Sequence, residues 1–356
     1  MTEDGANPLR RPGALEPVLA VCGPSGAGKT TLLLDAVARL VARGLRVAVV
    51  KHDVHGITVD PAAKDSARLF AAGADVVLQG PGERLRRDHG GGDLAAELRA
   101  LVRHHDLVLV EGHRGTPLPK VWLLDEAGCA PGDGVGAVLD VLPRDASRAA
   151  RFAAFLDSWL DERWAARPVL AALLVGGRSR RMGRPKQLLS HGGRTLGEIA
   201  AAALGEVAEK VLLVGAGPRP DALAGLARLT DVEDVPGPLG GMLAALRWQP
   251  GAAWIVAACD LPLVTPEAVR WLLAERRPGR WAVLPRLDER GLEPLLALYE
   301  PQAHPLLEAV AAAGGRAPNR ISRHPAVVTP SPPAELRPAW TNVNSPEDLA
   351  RCQVRA

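Results

Sequence analysis

Cysteine is scarce in this chain, and the four cysteines are scattered. Cys22, Cys129, Cys259 and Cys352 lie far apart and form no Cys-x-x-Cys pair. This spacing argues against a structural zinc site and against a disulfide framework, and it is typical of proteins of the reducing cytoplasm. We therefore expect a cytoplasmic protein.

Long apolar runs are also missing. No segment approaches the ~18–20 apolar residues of a membrane helix, so no membrane is expected as a partner. Residues 1–16 carry acids and prolines without an apolar centre, so we interpret them as a flexible tail and not as a secretory signal. The 356 residues, 47% hydrophobic and 23% charged, are typical of a globular chain that is long enough for two domains.

Lysine contributes little to the positive charge, because only six of the 43 basic residues are lysines. A lysine in such an arginine-rich background can mark a position that needs a slim point charge. The six are Lys29, Lys51, Lys64, Lys120, Lys186 and Lys210. The net charge is −2 up to Ala166 (20 Lys+Arg, 22 Asp+Glu) and +5 beyond it (23 and 18). This small surplus suits an anionic substrate and does not favour nucleic acid as a partner.

What the sequence does contain is a repeated alternation of apolar strands and amphipathic helices. Up to residue 166 the predicted strands are PVLAVC, RVAVVK, DVVLQG, DLVLVEG, KVWLLDE and GVGAVLDV. Helices are predicted over KTTLLLDAVARLVARG, over DPAAKDSARLFAAG with Asp60 as N-cap, and over SRAARFAAFLDSWLDERW. After Arg167 the alternation restarts with PVLAALLV, EKVLLVG and WIVAAC. This pattern predicts two doubly wound α/β domains with largely parallel sheets, residues 17–166 and 167–356.

The stretch GPSGAGKT follows the first predicted strand and opens the first predicted helix. It matches the GxxxxGK[ST] pattern, in which glycines let main-chain N–H groups surround phosphate oxygens. Lys29 would reach the outer phosphates and the Thr30 hydroxyl would ligate Mg²⁺, while the helix N-terminus adds its positive dipole end. We expect nucleotide contacts from Gly23, Gly26, Gly28, Lys29, Thr30 and Thr31.

Polar residues end two of the predicted strands in this half. Glu111 ends DLVLV, where it would hold Mg²⁺ through water or orient a nucleophile; a solvated acid at a strand end is the alternative. The next group, His52, Asp53 and His55, follows RVAVVK. It is either a metal cluster or, as we favour, a set of polar loop residues at the rim of the sheet.

The stretches GPSGAGKTTLL, VVKHDVHGITVD, KDSARLFAAGADVVLQG and LVLVEGHRG resemble MobB, the nucleotide-binding accessory family of molybdenum cofactor dinucleotide synthesis. The resemblance covers residues 17–160 and implies a P-loop NTPase-like fold that binds GTP, or another purine triphosphate, with weak hydrolysis at most. Carried over from the family are Gly28, Lys29, Thr30, Asp60, Lys64, Asp65 and Glu111. EGHRG departs from the family, where a lysine often follows an aromatic residue, although His113 and Arg114 preserve the charge.

A second glycine loop, LLVGGRSRRMGRPKQLL, also follows a predicted strand but lacks the GK[ST] ending. Its cations Arg178, Arg180, Arg181 and Lys186 lie within a dozen residues. We predict that Arg181 and Lys186 meet the charge of a departing pyrophosphate, although a solvated loop would explain any one arginine.

Two carboxylates accompany the second loop. Asp260 ends the strand WIVAAC, and one carboxylate together with phosphate oxygens and waters is the usual way in which Mg²⁺ is bound. A turn aspartate before Pro262 is the alternative. Asp234, in DVEDVPGPLGGM, precedes a loop that we expect to line the base or ribose; an ordinary loop residue is the alternative. The predicted metal ligands of the chain are thus Thr30 and Asp260.

LLVGGRSRRMGRPKQLL, GPLGGMLAAL, AACDLPLV and TNVNSPEDLAR resemble the molybdenum cofactor nucleotidyltransferases, above all the MobA guanylyltransferases, over residues 168–356. The resemblance implies a Rossmann-like fold that transfers GMP from GTP to the terminal phosphate of Mo-molybdopterin and releases pyrophosphate. The implied site comprises Leu174, Val175, Gly176, Gly177, Arg181, Lys186, Asp234, Asp260, Asn342 and Asn344. The two asparagines precede a helix start at Ser345 and are expected to face the pterin.

Two other functions stay open. RPKQLL, DLPLVTPEAV and Gly215, where many guanylyltransferases carry Asn, favour a cytidylyltransferase that uses CTP; Gly176-Gly177, TNVNSPEDL and the fusion to a MobB-like half favour GTP. An adaptor that delivers cofactor without catalysis is the second alternative, opposed by the intact Lys186 and Asp260. The expected partners are Mo-molybdopterin and GTP, with apo-molybdoenzymes, molybdopterin-loading proteins and a second copy of the chain as further candidates.

Overall fold

The structure is a computed structural model that describes residues 17–51, 64–89, 92–176, 183–288 and 291–353. These residues form two α/β units, the first ending at Ala165 and the second beginning at Val169. Each unit has a central sheet with helices on both faces, which confirms the α/β class predicted from the alternation. In the described part of the chain, no helix is long and apolar enough to cross a membrane.

The first unit contains seven described strands and four described helices. Its strands are β1 (Val18–Cys22), β2 (Val47–Lys51), β3 (Val76–Gln79), β4 (Arg84–Arg87), β5 (Leu107–Glu111), β6 (Lys120–Leu123) and β7 (Val138–Leu142). Its helices are α1 (Lys29–Ala42), α2 (Asp65–Ala71), α3 (Leu94–Val102) and α4 (Arg148–Ala165). Five of the strands form a parallel sheet in the order β2-β5-β1-β6-β7.

Apolar side chains cover both faces of this sheet. Leu19 and Val21 of β1 pack with α1 and α4, whereas Val18 and Ala20 lie in the core on the side of α3. This alternation follows from the two-residue period of a strand. The first helix stops where glycine predicted it, since Gly44 has φ +86° and donates its N–H to the carbonyl of Val41.

One predicted strand, DVVLQG, lies outside the parallel sheet. Val76–Gln79 pairs antiparallel with β4 as a two-stranded ribbon, closed by a hydrogen bond from Gly80 N–H to the carbonyl of Glu83. The predicted strand is therefore confirmed, but its antiparallel partner was not predicted, because apolar composition does not reveal which strand is the partner. The preceding helix begins at Asp65, and its predicted N-cap Asp60 lies outside the described residues.

The second unit is larger. Its strands are β8 (Val169–Leu174), β9 (Ser190–His191), β10 (Arg194–Thr195), β11 (Lys210–Val214), β12 (Arg228–Leu229), β13 (Ala253–Ala258), β14 (Ala282–Val283), β15 (Arg286–Leu287), β16 (Gly291–Leu292), β17 (Leu296–Tyr299) and β18 (Val327–Val328). Its helices are α5 (Leu196–Gly205), α6 (Pro238–Trp248), α7 (Pro266–Ala274), α8 (Ala303–Ala312) and α9 (Pro346–Gln353).

Seven of these strands make the main sheet, in the order β12-β11-β8-β13-β17-β14-β18. Strands β11, β8 and β13 are parallel, and β17 is antiparallel to β13. Helices α5 and α7 cover one face, and α6 and α8 cover the other. After β8 the chain moves first to one side, to β11, and later to the other, to β13. Such a reversal leaves a ligand crevice at the carboxyl ends of the strands.

A buried polar seam joins the two units. Asp106 is fully buried, and its carboxylate accepts the main-chain N–H of Arg46 (2.7 Å) and the indole N–H of Trp281 (2.7 Å). Gln302 is fully buried as well and donates its amide N–H to the carbonyl of His105 (3.2 Å). These contacts run from the first unit to the second, so the units are docked through satisfied polar groups.

Arg167, in the short connection between the units, completes the seam. Its guanidinium donates to the carboxylate of Glu300 (3.1 Å) and to the side-chain oxygen of Gln302 (3.2 Å). It also lies 3.8 Å from the ring centroid of Trp164 at the end of α4. Arg276 donates to the other oxygen of Glu300 (2.7 Å), so this buried carboxylate is paired on both sides.

The seam lies at the amino ends of the parallel strands of both sheets. Arg46 and Asp106 directly precede β2 and β5, Arg167 shortly precedes β8, and Trp281 directly precedes β14. The parallel strands of each sheet therefore begin at the seam and lead away from it, whereas the antiparallel β17 ends there, just before Glu300. The carboxyl edges of the parallel strands, where α/β sheets bind ligands, are therefore the edges opposite to the seam.

Candidate functional sites

The first glycine loop has the backbone of a phosphate cradle. Gly23, Gly26 and Gly28 all have positive φ angles, of +148°, +75° and +86°. A Cβ at Gly23 would lie 2.5 Å from the carbonyl oxygen of Leu123, so only glycine fits there. Gly28 is the residue before α1, and its left-handed conformation leads directly into the helix N-terminus. The sequence prediction of a glycine loop between strand and helix is confirmed in this geometry.

Lys29 reaches back over this loop. Its ammonium group donates hydrogen bonds to the carbonyl oxygens of Gly23 (3.0 Å) and Pro24 (2.7 Å). The positive charge is therefore already held inside the loop, where phosphate oxygens would compete for it.

Thr30 and Glu111, predicted from separate parts of the sequence, are in contact. The Thr30 hydroxyl donates to a carboxylate oxygen of Glu111 at 2.9 Å. Glu111 is 9% exposed and ends β5, which is paired with β1 so that the glutamate lies beside the start of the loop. A hydroxyl and a carboxylate in contact are oxygen donors of the kind that Mg²⁺ prefers.

Further cations converge on the carboxyl end of β1. Burial raises the pKa of the Cys22 thiol, and the Lys120, Lys29 and Arg114 cations oppose this rise. Lys120 is fully buried, and burial lowers the pKa of its ammonium group, which donates to the carbonyls of Thr116 (2.7 Å) and Gly136 (2.7 Å). This end of the sheet is thus electropositive.

Some predicted positions of the first unit lie apart from this cluster. Lys64 and Asp65 are exposed at the start of α2, where Asp65 forms an ion pair with Arg68 (3.7 Å). His52, Asp53, His55 and Asp60 lie outside the described residues. Among the residues that the structure does describe, no group of three or more His, Cys, Asp or Glu side chains could hold a metal ion. Thr31 is exposed in the first turn of α1.

The second glycine loop begins where β8 ends. Leu174 is half-buried, and Val175 is fully buried between its hydrogen bonds to Val214 (2.8 Å) and from Gly217 (2.9 Å). Gly176 is exposed, and no atom of the described residues would lie within 4 Å of a Cβ built on it. The next predicted residues, Gly177 and Arg181, lie outside the described residues, as do Arg178 and Arg180.

Three predicted residues from distant parts of the sequence meet at the carboxyl edge of the second sheet. The ammonium group of Lys186 donates to Asp260 Oδ2 (2.7 Å) and to Asn344 Oδ1 (2.7 Å). The Lys186 and Asp260 side chains are 19% and 15% exposed. We refer to Lys186, Asp260 and Asn344 as the transfer cluster.

The second oxygen of Asp260 is left without a partner. Oδ1 is buried, and no hydrogen-bond donor of the described chain reaches it. A buried carboxylate oxygen in this state is costly unless a ligand satisfies it. The residue thus fits the predicted role of a Mg²⁺ ligand better than the alternative of a turn aspartate, which would use its oxygens locally.

The segment TNVNSPEDL is held against this aspartate. Val343 donates its N–H to the main-chain carbonyl of Asp260 (3.0 Å), which places Asn344 beside Lys186. The predicted helix start is confirmed: the carboxylate of Asp348 accepts the N–H of Ser345 (3.0 Å), and the Ser345 hydroxyl accepts the N–H of Asp348 (3.3 Å). Asn342 is half-buried at the other end of this segment.

An aspartate that the sequence analysis did not select lies against the second glycine loop. Asp231 Oδ1 lies 3.1 Å from a Cβ built on Gly241 and 3.5 Å from one built on Gly215. Partial desolvation raises the pKa of this carboxyl group, although it keeps solvent access, and the Arg228 cation opposes the rise. The signal that was available in the sequence was DVEDVPGPLGGM, in which Asp234 was chosen. Asp234 is exposed and has φ +65°.

Gly215, one of the departures noted in the sequence, is required by the backbone. It has φ +111°, and a Cβ there would lie 2.5 Å from the carbonyl oxygen of Val175. Asparagine at this position would therefore need the loop to move. Gly217 is equally constrained, because its Cβ would lie 2.5 Å from Gln187 Nε2.

Gln187 is a second residue that sequence reasoning missed. It is 2% exposed, donates its amide to the carbonyl of Pro218 (2.9 Å), and accepts a weak hydrogen bond from the Cys259 thiol (3.8 Å). Burial raises the pKa of that thiol to about 12, so it stays a neutral donor. Gln187 follows Lys186 and Cys259 precedes Asp260, so this contact ties the two halves of the transfer cluster together. The signal available in the sequence was the polar Gln187 directly after the charged Lys186.

Comparison with known proteins gives two family matches that divide the chain. Residues 18–131 match the family model described as molybdopterin guanine dinucleotide synthesis protein B. Residues 171–327 match the model described as MobA-like NTP transferase domain.

Individual relatives divide the chain in the same way. A molybdopterin-guanine dinucleotide biosynthesis adapter protein of Haemophilus influenzae is 33% identical over 165 residues, which cover 40% of this chain and 89% of the relative. A probable molybdenum cofactor guanylyltransferase of Thermococcus gammatolerans is 34% identical over 194 residues, covering 51% of this chain and 98% of the relative. A molybdenum cofactor biosynthesis bifunctional protein of Synechocystis is 32% identical over 192 residues, covering 52% of this chain and 53% of the relative.

Proposed function

This chain belongs to the molybdopterin-guanine dinucleotide adapter family, MobB, through its first unit and to the molybdenum cofactor guanylyltransferases, MobA, through its second. On this premise we propose that it transfers GMP from GTP to the terminal phosphate of Mo-molybdopterin. A phosphate oxygen of the pterin attacks the α-phosphorus of GTP, the bond between that phosphorus and the bridging oxygen breaks, and pyrophosphate leaves. We propose residues 17–166 and 167–356 as the two domains, preceded by a tail of residues 1–16.

The transfer cluster is the observation that carries this proposal. Lys186 has three N–H donors, and two of them are engaged by Asp260 and Asn344. The third is available to a phosphate oxygen, which supports the proposal that this lysine meets the charge growing on the departing pyrophosphate. Asn344 holds that lysine in place, and the resemblance implies that it also contacts the pterin. Arg181 is proposed as the second cation.

Asp260 is proposed to hold Mg²⁺ in this site, and Thr30 with Glu111 in the first site. The support is the orphaned buried Oδ1 of Asp260 and the paired oxygen donors of Thr30 and Glu111. When bound, Mg²⁺ neutralises phosphate charge and orients the phosphates for in-line displacement. Asp260 itself also fixes Lys186, which it contacts through Oδ2.

The base is proposed to be guanine, read near Gly176 and Asp231. Guanine presents adjacent N1–H and N2–H donors, which one carboxylate can accept together, whereas cytosine presents only its N4 amino group in this way. The open space beside Gly176 leaves room for a two-ring base. CTP is the second candidate, favoured by PKQLL and by the absence of an asparagine at residue 215. Asp234 is proposed to line the ribose side of this loop.

The first unit is proposed to bind GTP on its glycine loop as an accessory site, with weak hydrolysis at most. Lys29 and the loop N–H groups would hold the phosphates, and Asp65 remains a proposed contact at the start of α2. We propose apo-molybdoenzymes and molybdopterin-loading proteins as its partners, and the cytoplasm as its location, since the four free cysteines would stay reduced there.

A homodimer is also proposed, through the surface of α2 and the β3–β4 ribbon. Leu69, Val77, Leu78 and Leu85 are between 37% and 57% exposed there. Exposed apolar side chains of this kind favour association. Light scattering of the purified chain gives its mass, and Leu69→Ser with Val77→Ser should convert a dimer to a monomer. A wild-type chain that is monomeric at high concentration would contradict the proposal.

The decisive experiment for the reaction is a competition between nucleotides. The chain is incubated with Mo-molybdopterin, Mg²⁺ and equal GTP and CTP, and the dinucleotide product is identified by mass. A guanine dinucleotide with released pyrophosphate is expected. A dominant cytosine product would transfer the assignment to the cytidylyltransferases, and no product with either nucleotide would favour the non-catalytic adaptor.

A further inference from the structure

The first glycine loop needs support on the side that faces away from its ligand. A loop that turns its main-chain N–H groups toward phosphates turns carbonyl oxygens in other directions, and buried carbonyls need donors. Ala27, in the middle of GPSGAGKT, is fully buried. Its carbonyl therefore has to be satisfied from behind the loop.

Arg148 supplies this donor. It is the first residue of α4 and only 9% exposed. Its guanidinium donates to the carbonyl of Ala27 at 2.7 Å, to that of Leu124 at 2.6 Å, and to that of Leu142 at 3.3 Å. A further hydrogen bond goes to the carbonyl of Pro143. One side chain thus fastens the loop to the segments that follow β6 and end β7.

Arg144 makes the neighbouring contact. Its guanidinium donates to the carbonyl of Gly26 (3.0 Å), the residue before Ala27, and forms an ion pair with Glu126 (3.1 Å). The carbonyls of two successive loop residues are therefore both held by arginines, one between β7 and α4 and one at the start of α4. Arg144 is exposed, whereas Arg148 is buried, so Arg148 is the stronger constraint.

The charge of Arg148 is unusual for its place. Within the described residues its hydrogen bonds all go to main-chain carbonyls, and it starts a helix, where the dipole disfavours a cation. Burial and the Arg144 cation lower the pKa of Arg148, opposed by the Asp145 carboxylate. A buried cation behind a phosphate loop costs stability in the free chain, and a bound anion offsets part of that cost.

We propose that Arg148 is a positioning residue of the first nucleotide site. By holding the Ala27 carbonyl it keeps the N–H groups of the loop turned toward the phosphates, and its charge adds to their attraction. The inference rests on the proposed binding of nucleotide at this loop, which it deepens by naming what fixes the loop.

The test is hydrogen exchange on the full-length chain, titrated with GTP. Protection of the peptide spanning residues 23–31 reports the first site separately from the second. Arg148→Met should raise the GTP concentration for half-protection at least about tenfold and speed amide exchange of this peptide without nucleotide. Arg148→Lys keeps the charge but cannot reach the carbonyls of Ala27 and Leu124 together, so it should restore only part of the loss.

The matched control is Arg151→Met. Arg151 lies one turn further along α4, and its side chain is 47% exposed in a long ion pair with Asp140 (3.8 Å). The GTP concentration that gives half-protection in this variant should equal that of the wild type. Exchange of the β1 and β5 peptides checks that each variant is folded.

The outcomes separate the two proposals. If GTP gives the wild type no protection at residues 23–31, the proposed accessory site itself fails. If the wild type is protected and Arg148→Met is protected at the same GTP concentration, the role of Arg148 is overturned while the site stands. If Arg148→Met does not fold, the test uses Arg148→Lys. The role of Arg148 is then overturned if this variant reaches half-protection at the same GTP concentration as the wild type.

Discussion

Lys186 shows how much one side chain depends on distant parts of the sequence. It was selected from its own loop, yet its ammonium group is held by residues 74 and 158 positions later. The aspartate was expected as a metal ligand and the asparagine as a pterin contact. Their shared contact with Lys186 makes the three side chains one unit, so the removal of any member should affect the others.

Asp260→Asn should lower kcat at least about 100-fold, because the variant loses both the ion pair with Lys186 and a carboxylate ligand for Mg²⁺. Transfer is measured at saturating Mg²⁺, and the melting temperature shows whether the chain is folded. Asp221→Asn, at an exposed position in the same unit, is the control. Activity of Asp260→Asn within a few fold of wild type would remove Asp260 from the site.

Gly176→Ala should shift the ratio of GTP to CTP use toward CTP by about tenfold, or roughly 1.4 kcal/mol. Among the described residues, no atom lies within 4 Å of a methyl group at this position, so it does not project into the described core. The fold should therefore be unaffected, and a change in selectivity can be ascribed to the pocket. The ratio of kcat/KM values is the measurement; an unchanged ratio would mean that the base is read elsewhere.

At this scale the sequence predicted residue types next to glycine loops and strand ends, but not contacts. Lys29, Thr30, Glu111, Lys186 and Asp260 each stand in such a local pattern. The residues that were missed act across the fold: Asp231 beside two glycines, Gln187 between two loops, Arg148 behind a loop. Their neighbours in the sequence do not indicate these roles, because their partners are set by tertiary packing.

Among the elements, the short 3₁₀ helix Lys186–Leu188 matters most for the proposed transfer, because it begins with Lys186. Its position is fixed by the amide of Gln187 and by close packing on α5, where a Cβ at Gly197 would lie 3.0 Å from the carbonyl of Gln187. Loss of either contact would let this turn, and Lys186 with it, move relative to β13.

Gln187→Leu should reduce kcat about tenfold or more with a smaller change in KM, and should cost about 1–3 kcal/mol of stability. The leucine removes the hydrogen bond to the carbonyl of Pro218, leaves the buried Cys259 thiol without its acceptor and lets Lys186 shift. Steady-state kinetics and chemical denaturation are measured together. Arg194→Leu, at an exposed position nearby, serves as control. Unchanged kcat in Gln187→Leu would contradict a positioning role.

Element prediction succeeded where burial dictated the pattern. The strands β1, β5, β8 and β13 were found because both faces are covered, which requires continuous apolar runs. The ribbon strand β3 was predicted as a strand without its partner, since an exposed strand with apolar residues looks the same in sequence as a buried one. Pairing depends on the whole chain and is not a local property.

For the molecule as a whole, the position of the seam predicts that the first glycine loop and the transfer cluster act independently of each other. Lys29→Ala should abolish protection of the first glycine loop by GTP and leave the rate of transfer within about twofold of wild type. The parallel strands of both sheets lead away from the seam, so we expect neither loop to contact the other's ligand. The two assays are run on the same full-length preparation. A transfer rate that falls with the first site would show that the units are coupled.

Acid should weaken the seam through His324, whose ring is stacked on Trp281 at 4.6 Å. Burial and the Arg46 cation lower the pKa of His324 below its ordinary 6.5, opposed by Asp106, and its Nδ1 accepts the N–H of Ala326 (3.2 Å). The unfolded chain thus takes up a proton first as pH falls. This contribution to stability is complete above pH 6.5 and is lost below it.

The melting temperature should accordingly drop between about pH 7.5 and about pH 5.5, and His324→Phe should reduce the size of the drop. Phenylalanine keeps the stacking on Trp281 and does not titrate. It leaves the N–H of Ala326 without its acceptor, so the variant should be less stable, but this loss should not depend on pH. His304→Gln tests a second histidine, which is buried and whose pKa burial also lowers. An identical pH dependence in wild type and His324→Phe would exclude this residue as the source.

The seam also determines how the fused chain meets its surroundings. The amino ends of parallel strands carry none of the ligand chemistry of an α/β sheet, so the two units are joined by surfaces that neither reaction needs. Only residues 166–168 connect α4 to β8, and in each unit the carboxyl edge of the parallel strands is the edge opposite to the seam. On the proposed functions, we therefore expect that a nucleotide on the first glycine loop and the substrates of the transfer cluster can be bound at the same time.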